Sequence, residues 1–301
     1  MQVRSISLLL FILCQALAIS IWPNVENVQL AESRAILYPD QLHFSLQKPT
    51  GDILIKGVER YAQLFFPYPF QVQQNQKNNE KILVEIEINT SEASEELTFG
   101  IDESYHITTS TINNNQYKLI LSATNCFGVL RGLETLSQLI EMEQRTTEDG
   151  EDYYIYFING LPLAIDDQPK YPWRGLLFDT ARHFAPKEEL YHLLDAMSYA
   201  KFNVLHWHLT DEQSFPVETF TFPDLKKGSW NHNAIYTQED IQDVIDYALY
   251  RGIRVVPEID LPGHCKSWGE GYPDVITRFA LLLSIFNLQW CIYLLFIAAL
   301  H

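Results

Sequence analysis

The sequence predicts an α/β protein: a small α+β N-terminal domain followed by an incomplete TIM (β/α)8 barrel of about three strands. Three observations predict it. Apolar, strand-like runs at 174–179, 203–209 and 254–260 each end in charged, aromatic and histidine residues. Helix-patterned segments at 188–201 and 237–250 separate those runs, and strand, helix, strand, helix, strand in one register argues for right-handed βαβ units on a parallel sheet. Ahead of them, short alternating stretches surround a helical pattern at 126–142. A doubly wound sheet would also contain the βαβ units. No Gly-rich turn follows the first strand, however, so a dinucleotide or P-loop site is unsupported. Polar clusters after all three strands favour the barrel, whose sites are assembled from successive strand ends.

The elements follow in order. The first residues carry Arg4, an apolar run at 6–17 and Ala16-Leu17-Ala18, the layout of a secretory signal peptide over 1–20. The run is short for a membrane span, and an uncleaved anchor is the alternative. Residues 21–165 form the α+β domain. Within it 53–66 has mixed helical spacing closed by Pro67 and Pro69, and 71–80 is a Gln/Asn-rich loop. The stretch 81–89 alternates as a strand, and 96–107 and 116–122 read as two more around an Asn113-Asn114-Asn115 turn. In the helix at 126–142, Leu130, Leu133, Leu136 and Ile140 lie near one face, and 153–158 is a strand. The barrel part covers 166–275. Pro186 sits where a first helical turn starts, and Thr237 with Asp240 resembles a capping box. A long loop fills 210–236.

Composition bounds the partners. Lys and Arg number 21 against 38 Asp and Glu, a formal charge of −17, and nothing there would neutralise phosphates, so nucleic acid is excluded. Of four cysteines, Cys14 falls in the signal and Cys291 in the tail, leaving Cys126 and Cys265 with no CxxC pattern and no disulfide framework. Asn89-Thr90-Ser91 is an N-glycosylation sequon and fits a secretory route.

Candidate chemistry lies between 171 and 268. Arg174 opens the first barrel strand, where its guanidinium can fork onto ligand oxygens or pair with a neighbouring carboxylate. Asp179 and Arg182 close that strand as an internal ion pair. His206-Trp207-His208 puts two imidazoles on one strand face, with Asp211 and Glu212 after them. Two readings stay open here: a zinc-type site completed by Asp260 and His264, or a hydrogen-bonded network that holds a polar site in place. The Pro262-Gly263 turn aims His264 back over the barrel mouth, near Asp211, and a carboxylate that orients an imidazole tunes a catalytic acid. Trp173, Trp207 and Trp268 are candidates for apolar walls to a sugar ring, or for core.

The runs PWRGLLFDTARHF, FNVLHWHLTDEQSFP and VVPEIDLPGH resemble the β-N-acetylhexosaminidases of glycoside hydrolase family 20, and FGVLRGLETLSQL resembles the last helix of that family's N-terminal domain. The similarity runs in order over roughly 21–273. It implies a lysosomal or extracellular glycosidase that removes terminal N-acetylglucosamine or N-acetylgalactosamine from glycans. The mechanism would be retaining and substrate-assisted, with no cofactor and no metal. Residue by residue, Arg174 matches the arginine that holds sugar hydroxyls, and Asp211 and His264 match the aspartate and histidine linked to the catalytic acid. For the full-length family the resemblance implies a homodimer.

The chain departs from the pattern at one point that matters. The family's adjacent Asp-Glu pair, in a Gly-Gly-Asp-Glu setting on the fourth strand, does not occur. Asp211-Glu212 occupies the second-strand position and is not that pair. The expectation is therefore a C-terminally truncated, inactive chain. The apolar tail at 276–301, uncharged over 279–300, reads either as a gene-model artefact, such as translation through an intron, or as a membrane anchor. The alternatives to a hexosaminidase are a non-catalytic, membrane-anchored glycan-binding relative and a metal-dependent barrel hydrolase using His206, His208 and His264.

Overall fold

The structure is a computed structural model that describes residues 21–47, 51–68, 80–147 and 149–276. The chain forms two compact units that divide between Lys170 and Tyr171. The signal-like segment and most of the 276–301 tail lie outside the described residues. Among those described, no helix is long and apolar enough to cross a membrane.

The first unit is built on seven strands: β1 (Asn27–Leu37), β2 (His43–Leu46), β3 (Ile82–Thr90), β4 (Tyr105–Asn113), β5 (Gln116–Ala123), β6 (Glu141–Thr146) and β7 (Asp152–Asp167). Two helices accompany them among the described residues, α1 (Asp52–Leu64) and α2 (Cys126–Leu139). The sheet runs β1-β3-β5-β4-β7-β6, β2 pairs with β3, and β1 also pairs antiparallel with β7. The predicted asparagine turn closes the β4–β5 hairpin, with Asn115 N donating to Asn113 Oδ1 at 3.0 Å.

Several elements differ from the sequence expectation. The strand expected over 96–107 starts only at Tyr105, after an irregular approach through Gly100 at φ 77. The strand expected over 153–158 continues to Asp167, past Gly160 at φ 82. Strands β1, β2 and β6 were not expected. In β1 the fully buried residues crowd into Ala35, Ile36 and Leu37 while the rest stay partly exposed, so there is no alternation to read.

Helix α2 is buried around most of its circumference rather than along one face. Its buried polar residues are each paired. Arg131 donates twice to Glu103 Oε1 (2.9 and 2.7 Å), Glu134 accepts from Tyr61 Oη (2.9 Å), and Thr135 Oγ1 lies 2.5 Å from Tyr105 Oη. Asn125 caps the helix, its side chain accepting from Phe127 N and Gly128 N. Cys126 is a free, buried thiol pushed up to about 12 by burial, so no bridge joins it to Cys265. Asn89, in β3, is half-buried and donates to Glu87 Oε1 at 3.0 Å.

The second unit alternates β8 (Gly175–Asp179), α3 (Lys187–Tyr199), β9 (Val204–Thr210), α4 (Gln238–Leu249) and β10 (Arg254–Ile259). Its three described strands are parallel, in the order β10-β9-β8. That is the arrangement of part of a (β/α) barrel. The core joins Leu205, Trp207 and Leu209 of β9 to Leu190, Leu194 and Met197 of α3 and to Val244 and Ala248 of α4. The capping box at Thr237 forms in both directions: Asp240 N donates to Thr237 Oγ1 (3.1 Å) and Thr237 N to Asp240 Oδ2 (3.0 Å).

Candidate active site

Side chains alternate across a strand, so β9 sends Trp207 to one face and His206 and His208 to the other. Trp207 is wholly buried in the helix-side core, where its Nε1 donates to Thr180 Oγ1 at 2.9 Å. It therefore serves as core and not as a wall for a sugar. Trp268 is partly buried and meets Phe215 edge-on, whereas Trp173 is exposed.

On the opposite face the parallel register sets Asp179, His208 and Glu258 in one row. The carboxyl ends of the strands then supply a continuous network. Glu258 Oε2 lies 2.6 Å from His206 Nε2 and 2.8 Å from His208 Nδ1. The other nitrogen of His208, Nε2, lies 2.9 Å from Asp211 Oδ2. Asp211 is fully buried. Its Oδ2 also receives Arg182 Nη2 at 2.7 Å, and its Oδ1 receives Glu212 N at 2.6 Å. The backbone holds it in place: Asp211 N donates to Ser214 O (3.0 Å) and Ser267 Oγ donates to Asp211 O (2.7 Å).

His264 completes the group from the loop after β10. Its backbone is left-handed at φ 54, a conformation uncommon outside glycine and often found at functional positions. Its Nδ1 lies 2.7 Å from Asp260 Oδ2 and 3.7 Å from Asp211 Oδ2. Asp260 N donates to Thr210 Oγ1 at 3.2 Å, which ties the loops after β9 and β10 together. The carboxylate that orients His264 is thus Asp260 first and Asp211 second, where the sequence pointed to Asp211 alone. The hydrogen bond to Asp260 and the charge of Asp211 hold the exposed His264 ring above the usual imidazole range. Glu258 is held below the usual glutamate range, chiefly by its bond from His208.

The structure brings Asp211 and His264 together and does not bring Arg174 to them. Arg174 precedes the first residue of β8, and the network gathers after the last. Five strand steps of about 3.3 Å separate Arg174 from Asp179, or roughly 16 Å. Its Nε donates to Lys201 O and its Nη1 to Tyr171 O, both at 2.8 Å. Its backbone N donates to Asn203 Oδ1 at 2.9 Å, so the residue stitches the starts of β8 and β9.

Two members of the network carried more than the sequence suggested. The ion pair between Arg182 and Asp179 is present at 2.5 Å, and the same guanidinium reaches on to Asp211. Glu258 went unnoticed. Its signal was a carboxylate inside the otherwise apolar run Val255-Val256-Pro257-Glu258-Ile259, and only the register with His208 gives that a meaning.

His208, Asp211 and Asp260 offer donor atoms within 4.8 Å of one another, spacing that suits a metal. Those atoms are already engaged. Asp211 Oδ2 faces Arg182 and His208, and Asp260 Oδ2 faces His264. A guanidinium and imidazoles stand where a metal's charge would be needed, so the hydrogen-bonded network is the better description of this cluster.

Comparison with known proteins agrees with this architecture. Residues 171–291 match the model of the glycosyl hydrolase family 20 catalytic domain, and residues 21–139 match a β-acetyl hexosaminidase-like domain. The first match reaches past 275 into the apolar tail. β-Hexosaminidase subunit A1 of Dictyostelium discoideum is 42% identical over 253 residues, covering 80% of this chain and 44% of that protein. The rat β-hexosaminidase subunit alpha is 39% identical over 284 residues, covering 90% of this chain and 51% of that one. Among solved structures, Flavobacterium johnsoniae chitobiase superposes with a TM-score of 0.67 at 31% identity, covering 85% of this chain and 37% of that chain. The chain spans about half the length of the curated relatives it matches. It belongs to glycosyl hydrolase family 20, whose members are β-N-acetylhexosaminidases.

Proposed function

We propose that the chain carries one part of a hexosaminidase site, the part that sets up the catalytic acid, for glycans ending in N-acetylglucosamine or N-acetylgalactosamine. We propose further that the 301 residues alone do not turn such a substrate over. The observation that carries the reading is the meeting of Asp211, Asp260 and His264 after two neighbouring parallel strands, the end of a barrel where catalytic groups gather. In a substrate-assisted reaction the sugar's own 2-acetamido oxygen attacks the anomeric carbon, a glutamate protonates the leaving oxygen, and the preceding aspartate steadies the acetamido nitrogen.

The residues in hand fit a supporting part in that chemistry. Asp260 engages Nδ1 of His264, and Nε2 of this exposed ring has no protein partner among the described residues, so it is available to a neighbouring acid. Asp211-Glu212 does not serve as the reacting pair. Asp211 has no exposed surface and is committed to Arg182 and His208, so it cannot meet an acetamido group. Arg174 enters by resemblance as a ligand of sugar hydroxyls, and the secretory route and glycosylation at Asn89 enter from the sequence.

The test is an assay of the purified chain on a chromogenic N-acetylglucosaminide. The expected result is no turnover above the buffer rate. Turnover that disappears in His264→Ala and Arg174→Ala would overturn the claim of inactivity. Turnover abolished by a chelator and restored by zinc would instead favour a metal-dependent hydrolase. Expression in eukaryotic secretory cells tests the route: an endoglycosidase-sensitive gel shift is expected in the native chain and absent in Asn89→Gln.

A further inference from the structure

We infer that His208 is a standing imidazolium, held charged between Glu258 and Asp211, and that with Arg182 it forms a two-cation clamp that fixes Asp211 beside His264. The consequence for His264 rests on the proposed role of that residue. The charge state of His208 stands apart from it and is tested without any sugar.

The geometry carries the inference. Both ring nitrogens of His208 face carboxylate oxygens, Nδ1 at 2.8 Å from Glu258 Oε2 and Nε2 at 2.9 Å from Asp211 Oδ2. A neutral imidazole has one donor nitrogen and one acceptor nitrogen. A neutral ring would therefore set a lone pair against a carboxylate oxygen at hydrogen-bond distance. The doubly protonated ring donates to both.

Moving the proton onto Asp211 does not relieve the conflict, because its Oδ2 already accepts from a guanidinium, and Glu258 Oε2 is shared between two imidazoles. Glu258 Oε2 faces His206 Nε2 at 2.6 Å, and Asp211 Oδ2 faces Arg182 Nη2 at 2.7 Å. The surroundings point the same way. Around the ring stand Asp179 and Arg182 from β8 and its loop, His206 and Asp211 from β9 and its end, and Glu258 and Asp260 from β10 and its end, with His264 beyond Asp211 and Asp260. Those four carboxylates outnumber Arg182 and the two further imidazoles even with both of those rings charged. The ring side chain is only 7% exposed, so solvent does little to screen the imbalance. Burial works against the charged form of His208, yet the bonds to Glu258 and Asp211 outweigh it and hold the ring above the usual imidazole range.

The clamp explains how Asp211 can be fully buried and still point at His264. Its Oδ2 is fixed by two cations approaching from different strands, which leaves it 3.7 Å from His264 Nδ1. His208 and Glu258 are positioning residues in this scheme: they act on Asp211 and touch no substrate.

Side-chain NMR of the full chain labelled with 15N-histidine tests the inference. The His208 signals are assigned in the native chain by correlation with its own backbone amide and checked by their loss in His208→Gln. At pH 7.5 a free imidazole, with a pKa near 6.5, is about nine-tenths neutral. His208 is expected to carry protons on both nitrogens at that pH. In Glu258→Gln its midpoint is expected to fall by about one pH unit or more, since one of the two carboxylates is gone. One unprotonated ring nitrogen in the native chain at pH 7.5 would overturn the inference, whether or not either variant folds. So would a midpoint that Glu258→Gln leaves unmoved. Failure of the hexosaminidase reading shows up in turnover assays and leaves these signals untouched, so the two outcomes can be told apart.

Discussion

Asp211 has no exposed surface, yet donors from two neighbouring strands and from its own backbone turn converge on its carboxyl group. Its setting depends on residues far apart in sequence, and this makes stability respond to pH in a definite way. His208 is raised above its ordinary 6.5, so its contribution is fully present below 6.5 and is lost as pH rises through the folded value. Glu258 is lowered below its ordinary 4.5, so its contribution is fully present above 4.5 and is lost as pH falls through the folded value. Both act together between those limits. The difference in urea-unfolding free energy between the native chain and Glu258→Gln is expected to be largest from about pH 4.5 to 6.5 and to shrink on either side. A difference that stays flat from pH 4 to 8 would remove the pair from the account. At this scale the sequence disclosed the residue types and part of the pairing. Asp179 with Arg182 follows from local spacing, and the approach of His264 to Asp211 follows from the order of the strands whose ends carry them. The pairing of Glu258 with His208 needed the register of two strands, which no local pattern encodes.

At the scale of elements, α2 shows how a helix can be legible in outline and misread in its packing. Its apolar spacing predicted one buried face. The structure buries nearly all of it, because Arg131 and Glu134 find buried partners in Glu103 and Tyr61. The Arg131–Glu103 pair is 4% and 2% exposed. Removing one partner of such a pair strands a charge, so Arg131→Met is expected to cost about 3–5 kcal/mol in urea denaturation. The double change Arg131→Met with Glu103→Leu is expected to recover most of that loss.

Two glycines on the same helix separate a backbone conflict from a side-chain one. A Cβ on Gly128 would stand 2.4 Å from the carbonyl oxygen of Ser104, whereas on Gly132 it would meet the Leu121 Cδ1 methyl at 2.3 Å. Alanine gains about 1 kcal/mol over glycine from helix propensity at either site. That gain offsets the movement of a leucine side chain better than a shift of backbone, so Gly128→Ala is expected to lower the thermal midpoint more than Gly132→Ala. Equal midpoints would contradict it. Elements held by their own pattern, such as β3, β5 and the three barrel strands, were readable in the sequence. Elements held by a neighbour's edge, such as β1 along β7 and β6 beside it, were not.

For the whole molecule, the contrast lies between the two units. The first has seven strands, and β3 and β5 at its centre are paired on both sides. The second has three, and only β9 is flanked twice among the described residues. A parallel sheet is ordinarily covered on both faces. Here the face opposite the helices carries Leu177 at 54% exposed beside the charged network, so less apolar surface is buried to hold these strands. The second unit is therefore expected to unfold first. The chain's tryptophans offer a way to see it: of those described, Trp22 lies in the first unit, while Trp173, Trp207, Trp230 and Trp268 lie in the second. Fluorescence should report mainly the second unit, and far-ultraviolet circular dichroism both. The fluorescence transition in urea is expected at a lower midpoint than the last part of the dichroism transition. Within the second unit, amides of β9 should exchange hydrogen more slowly than those of β8 and β10, which each have one strand neighbour among the described residues. A single transition shared by both probes would mean that the two units unfold as one body, and the count of flanked strands would then not govern where the chain opens.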